Sequence, residues 1–349
     1  MNFHRTILLL ASCAIASLPV SSYAADTVAS LLRDGNAHLE KKNLEKAIAA
    51  YSEAIRLDSK NVEAYCGRAK AYTLSGDYRS AFQDIEVAVK LAPNSAEVHY
   101  IKAVTYVNGG DAKTGLAEVS EAIRLNPLFA KAYFKRATFL LLGLEFFSEK
   151  VDLAQAERDL RKAIELKSDY SEAMCILGLI GRVRGDLKPA LEIYNKAIDI
   201  GGKSVLGFLG RGDVFFECGD FSSAVNDYNL AIELNPKFGI LYAKRGLAYH
   251  AMNDGARAQA DWAKACKIDS RAAMPHLCLA KVHFINGDIE RSLRECNYAI
   301  CIDPNNSLAY LERAEVNGKL GRLDDMLADA NTAIRLAPND GACYVVRAG

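Results

Sequence analysis

The chain of 349 residues has no net charge, because 43 Lys and Arg offset 43 Asp and Glu. Without an excess of either sign it has no overall electrostatic footprint for nucleic acid or for an anionic membrane surface, and only local patches remain available. It also lacks a long hydrophobic run beyond its first residues: no later segment approaches the ~20 apolar residues of a spanning helix, so no transmembrane segment is expected after position 24. Signature motifs are missing as well. There is no P-loop, GxSxG elbow, HExxH pair, Rossmann glycine run or paired CxxC motif. These absences point away from an enzyme, and no cofactor is read from the chain. The nearest approach to a metal cluster is His276, Cys278 and His283. The two histidines lie two helical turns apart, roughly 10 Å along the axis, and Cys278 points to another face. Zinc ligands must all sit within ~2.3 Å of one ion, so no metal site is read here either.

The amino terminus stands apart from the rest. Arg5 precedes an apolar run from Thr6 to Leu18, Pro19 breaks it, and Ser22-Tyr23-Ala24 supplies small residues at cleavage positions. Residues 1–24 read as a secretory signal peptide cut after Ala24, which places the mature chain in a bacterial periplasm or outside the cell. Leu10-Ala11-Ser12-Cys13 looks similar to a lipobox, and the alternative is a lipid anchor at Cys13. Eight cysteines follow. An even count in an exported chain admits one or two disulfides, but their scattered phases suit small buried hydrophobes.

The chain's organisation lies in an alanine that recurs at Ala54, Ala88, Ala122, Ala163, Ala197, Ala231, Ala265, Ala299 and Ala333. Seven of the eight spacings are 34 residues and one is 41. Ile or Val follows each of these alanines except Ala265, which Cys266 follows. Such a period marks one structural unit copied in tandem. With each unit begun 26 residues before its Ala, the eighth position is always small, from Gly35 through Gly178 to Ala314. The fourth position is usually large, and the twenty-fourth ranges from Tyr51 and Tyr194 to Trp262 and Ala330. Small phases let two helices approach, and large side chains fill the space left beside them. Gly-Asp pairs at 76–77, 110–111, 185–186, 219–220 and 287–288 end one helix and cap the next. Pro93, Pro127, Pro236, Pro304 and Pro338 close units. Carboxylates dispersed at helical spacing read as solvated faces.

Leu177-Gly178, the tyrosines at 72, 106 and 249, the alanines at positions 20 and 27 and the closing prolines resemble the tetratricopeptide repeat family. That resemblance implies an all-α, right-handed superhelix over residues 25–349. Its nine helix-turn-helix repeats would cover 28–61, 62–95, 96–129, 130–170, 171–204, 205–238, 239–272, 273–306 and 307–340, with a partial tenth helix at 341–349. The fourth repeat carries an insertion near Phe146 and Phe147. The short apolar end at 341–349 suits a minimal cap, a truncated gene product or an edge for self-association.

The family also implies that first helices line a concave groove. Its phases here give Leu32, Asn36, Cys66, Lys70, Tyr100, Val104, Phe134, Leu209, Asp213, Leu277, Lys281 and Leu311. An apolar row beside scattered charges suits an extended peptide or an amphipathic helix of a partner protein. The basic clamp of chaperone-tail binders is missing from the first three repeats, although Lys131 and Lys135 supply its last two places one repeat on. The resulting expectation is an exported, non-catalytic protein-binding scaffold in the cell envelope. Two alternatives stay open, a regulatory arm on an envelope enzyme and a cell-wall glycan binder.

Overall fold

The computed structural model describes residues 20–146, 153–338 and 340–348, which form nineteen α-helices and no strand. They fall into two compact units that meet between Ser168 and Asp169, at the end of the lengthened fourth repeat. The first unit pairs α1 (Val20–Glu40) with α2 (Leu44–Leu57), α3 (Val62–Ser75) with α4 (Tyr78–Leu91), α5 (Ala96–Asn108) with α6 (Ala112–Leu125), and α7 (Ala130–Phe146) with α8 (Leu153–Leu166). The second pairs α9 (Ser171–Val183) with α10 (Leu187–Gly201), α11 (Val205–Glu217) with α12 (Phe221–Leu234), and α13 (Gly239–Ala251) with α14 (Gly255–Ile268). It continues with α15 (Ala273–Ile285) and α16 (Ile289–Ile302), α17 (Ser307–Lys319) and α18 (Leu323–Leu336), and ends in α19 (Gly341–Ala348). Helix α1 begins upstream of position 24, so the expected cleavage point falls within a helical stretch. Residues 1–19 of the expected leader lie outside the described residues.

Local chemistry explains the helix ends. All five glycines of the Gly-Asp pairs adopt positive φ, from 78° at Gly287 to 93° at Gly110. At that angle a side chain would be strained, whereas glycine ends the helix freely. The next residue then caps the second helix: Asp77, Asp111, Asp220 and Asp288 each accept from the backbone N–H three residues on. Asp186 occupies the same place without that bond.

The recurrent alanines mark the closest helix contacts, and all nine are fully buried. Where an aromatic stands at the twenty-fourth phase, glycine makes its room. A Cβ on Gly35 would come within 2.6 Å of the Tyr51 ring and one on Gly178 within 2.9 Å of the Tyr194 ring. Gly67 and Gly210, one repeat on, press against the same two rings from the other side. Each tyrosine is thus clamped between two glycine-bearing first helices, and size alternation rather than a continuous greasy seam holds the stack together.

The expectation that the carboxylates sit on solvated faces fails at one phase. Five repeats bury an Asp beneath a bidentate Arg: Arg68–Asp84, Arg136–Asp159, Arg211–Asp227, Arg245–Asp261 and Arg313–Asp329, with closest approaches of 2.7–2.8 Å. The free guanidinium nitrogen reaches back to Ser52, Ser120, Asn195, Asn229 or Asn297 on the preceding second helix. Each Arg therefore ties two successive repeats, and its carboxylate partner is buried because the geometry satisfies it. Four pairs are 16 residues apart and Arg136–Asp159 is 23 apart. The seven-residue excess is therefore confined between the two helices of the fourth repeat. Helix α7 absorbs part of it, at 17 residues against 13 in α5. Phe147 and the side chain of Phe146 lie outside the described residues.

All eight described cysteines are free, so no bridge closes among them. Burial pushes the Cys66 and Cys296 thiols up to about 12, as expected for packed hydrophobes.

Candidate partner-binding site

In the first unit, the first helices α1, α3, α5 and α7 enclose a cleft of about 270 Å³. Its apolar lining comes from Leu39, Leu74, Tyr100, Ile101 and Val104, and Lys70, Lys131 and Lys135 stand around it. Five residues expected in a groove from the repeat phases are brought together here: Lys70, Tyr100, Val104, Lys131 and Lys135. The Tyr100 ring leans on Phe129 at 5.2 Å. The cleft's buried hydroxyls satisfy each other, with Thr73 Oγ1 and Thr105 Oγ1 2.8 Å apart.

The three ammonium groups differ. Lys70 Nζ donates to Glu97 at 2.8 Å. Lys131 is exposed and Lys135 half-buried, and among the described residues neither has a hydrogen-bond or ion-pair partner. Burial alone holds the Lys135 ammonium below the ordinary lysine value. A desolvated cation beside an apolar surface favours an anion that brings its own hydrophobic neighbour.

In the second unit, Cys175, Leu179, Arg182, Leu206, Leu209 and Asp213 line a smaller cleft of about 100 Å³. Its charges are internally matched. Asp213 accepts from Tyr228 Oη at 2.8 Å and Lys244 Nζ at 3.1 Å, and Arg182 is paired with Glu217. Further along, Lys281 bridges Glu315 at 3.0 Å and Glu312 at 3.3 Å. Burial pushes the Glu312 carboxyl up, and Lys281 draws it back down.

Four of the remaining groove phases do not offer a surface. Leu32, Cys66, Leu277 and Leu311 are buried in core clusters. Asn36 is exposed but already accepts from Tyr51 Oη at 2.7 Å. Phe134 is half-buried. Phase reasoning missed Leu39 and Leu74, which line the cleft from the last turns of α1 and α3.

A helical hairpin stacked on its copies, with variable residues on its first helices, defines a helical-repeat interaction protein. Stretches of the chain match models of tetratricopeptide repeats. Family models described as "TPR repeat" match residues 35–76 and 212–253, and models described as "Tetratricopeptide repeat" match 62–95 and 150–205. A 72-residue segment, 20% of the chain, is 39% identical to the human small glutamine-rich tetratricopeptide repeat-containing protein beta. The chain spans 24% of that protein's length. The solved "APC/C hetero-tetramer Cut9-Hcn1" is similar with a TM-score of 0.64 at 18% identity, over 78% of this chain and 52% of that one. Pseudomonas aeruginosa pilF is similar with a TM-score of 0.53 at 18% identity, over 63% of this chain and 96% of that one. At that identity both likenesses concern the fold. Tetratricopeptide repeats bind other proteins and are generally non-catalytic.

Proposed function

We propose that this protein is an exported, non-catalytic scaffold of the cell envelope that docks a short segment of a partner protein in the cleft of its first unit. The segment has an aliphatic or aromatic anchor beside a carboxylate. One observation carries this reading: Lys131 and Lys135 line an apolar cleft with no internal partner among the described residues. A carboxylate there gains charge-assisted hydrogen bonds, and the apolar wall takes the neighbouring side chain. Export rests on the Thr6–Leu18 run and the small residues at Ser22 and Ala24.

A random peptide library displayed with free carboxyl termini tests the docking. Selection on the full chain should enrich an acidic or terminal carboxylate next to an apolar residue, and Lys131→Ala with Lys135→Ala should abolish the enrichment. Enrichment that ignores both lysines, or no enrichment over bare matrix, overturns it. Export is tested separately by the amino-terminal sequence of the protein recovered from the envelope fraction, expected to begin at Ala25.

A further inference from the structure

In five repeats an Arg at the seventh phase ties two repeats together. Its fork binds the carboxylate at the twenty-third phase, and its remaining nitrogen reaches a Ser or Asn at the twenty-fifth phase of the repeat before. In three of them the guanidinium also covers the aromatic ring at the eleventh phase, Tyr72, Phe215 or Tyr249, at 5.8–6.0 Å. The junction between the second and third repeats departs at both ends of this tie. Lys102 stands in place of the Arg, and Glu86 in place of the Ser or Asn. Lysine carries a compact ammonium rather than a planar fork that holds two partners at fixed positions. Lys102 Nζ turns to Glu118 of its own repeat, at 2.5 Å. His99 Nδ1 lies 2.7 Å from the other oxygen of that carboxylate. Glu118 is thus engaged on both oxygens, and among the described residues no bond runs from Lys102 back to α4.

Where the fork would lie there is an open pocket of about 230 Å³ between α4 and α5. Phe82, Ile85 and Val89 of α4 and Tyr106 of α5 form its apolar wall, and the Phe82 and Tyr106 rings meet at 4.7 Å. Glu86 and Lys90 line its exposed side, four residues apart on one face of α4. That spacing suits an ion pair, yet neither side chain has a hydrogen-bond or ion-pair partner among the described residues. The pocket therefore combines an aromatic and aliphatic wall with one uncommitted carboxylate and one uncommitted ammonium. It shares no residue with the cleft that holds Lys131 and Lys135.

We propose that this pocket binds a free α-amino acid with an apolar side chain. Glu86 takes the ammonium, which sits beside the Phe82 and Tyr106 rings as a guanidinium does over the eleventh-phase ring elsewhere. Lys90 takes the carboxylate, and the side chain leaves water against Ile85 and Val89. An α-amino acid carries both charges on one carbon, so a single small molecule bridges two residues one helical turn apart. A simple cation would leave Lys90 unpaired and a simple anion would leave Glu86 unpaired, so the zwitterion is the charge state that satisfies both. Bound there, the ligand supplies the link between successive repeats that Lys102 does not make.

Isothermal titration of the full chain with L-leucine tests this. One site per chain should saturate with a Kd of about 1 mM or tighter. Leucinamide, which lacks the carboxylate, and N-acetyl-leucine, which lacks the ammonium, should each bind about tenfold more weakly through loss of one charge-assisted bond. The preference for leucine over N-acetyl-leucine also separates this pocket from the cleft of Lys131 and Lys135, whose lining carboxylate, Glu97, is already taken by Lys70. Glu86→Ser with Lys102→Arg restores the residue types of the other junctions. It should fill the pocket with a guanidinium and abolish the leucine heat in a chain of unchanged helical content. Failure of leucine to saturate the unaltered chain at about ten times that concentration overturns the proposal. Equal binding of leucinamide or of N-acetyl-leucine overturns the amino-acid class, and leucine binding that survives the double substitution overturns the assignment to this pocket.

Discussion

Lys135 in the first unit and Lys244 in the second occupy the same phase of the repeat, the sixth, yet only one is satisfied. Lys244 donates to Asp213, which stands at the ninth phase of the preceding repeat. The residue at that ninth phase before Lys135 is Val104, and Lys135 has no partner among the described residues. Lys281 at a ninth phase likewise meets Glu312 at the following sixth. The backbone offers one cross-repeat pairing position throughout, and the residues placed there decide whether a stretch of inner face neutralises itself or stays open to an external anion. A repeat fold thereby separates what holds it together from what it recognises.

If that separation is correct, the shared scaffold should break alike in both units. Asp159→Ala in the first and Asp227→Ala in the second each strand a largely buried guanidinium, which costs about 3 kcal/mol. Hydrogen exchange should show that loss at the amides of α8 and α12 respectively, with equal size. A cost confined to one unit would mean that the Arg–Asp ladder is not the common frame. Next in size is the removal of Lys131 and Lys135 together by alanine. Loss of two charge-assisted bonds should weaken a selected carboxylate peptide about a hundredfold. Lys244→Ala, measured by the same titration, should leave that affinity within about threefold, because its charge is already spent on Asp213.

How much of this could be read beforehand depends on how many repeats shared a feature. The alanine, the Gly-Asp turns and the Tyr51–Gly35 size complement were legible because each recurs, and repetition averages out local noise. The groove phases were less so. Leu32, Cys66, Leu277 and Leu311 are apolar in sequence for the reason that buries them: the neighbouring helices cover them. The Arg–Asp ladder stands at the seventh and twenty-third phases of the sequence, but a single sequence does not show which carboxylates lie under a guanidinium and which are solvated.

The comparison can be inverted by exchanging single residues between the ninth phases. Val104→Asp should give Lys135 the internal partner that Lys244 has, weakening the selected peptide about tenfold by competition for one charge-assisted bond. Asp213→Val should do the reverse in the second unit and release Lys244. Isothermal titration of both variants decides the matter. If Val104→Asp leaves affinity unchanged, Lys135 does not contact the bound carboxylate.

The smallest effect is a proton. Burial depresses the Lys135 value in the folded chain, so between that value and the ordinary lysine value near 10.4 the unfolded state binds more protons than the folded one. Stability therefore rises with pH across that window, and below it the folded chain bears the full cost of a buried unpaired ammonium. A bound carboxylate restores the ordinary preference for the charged form. Peptide binding in the same alkaline window should accordingly take up a fraction of a proton, seen as a dependence of the binding heat on the buffer's ionisation enthalpy. Val104→Asp should remove that dependence, because the new carboxylate charges Lys135 before any ligand arrives. An uptake that persists in Val104→Asp would assign the proton to another group and detach Lys135 from the contrast with Lys244.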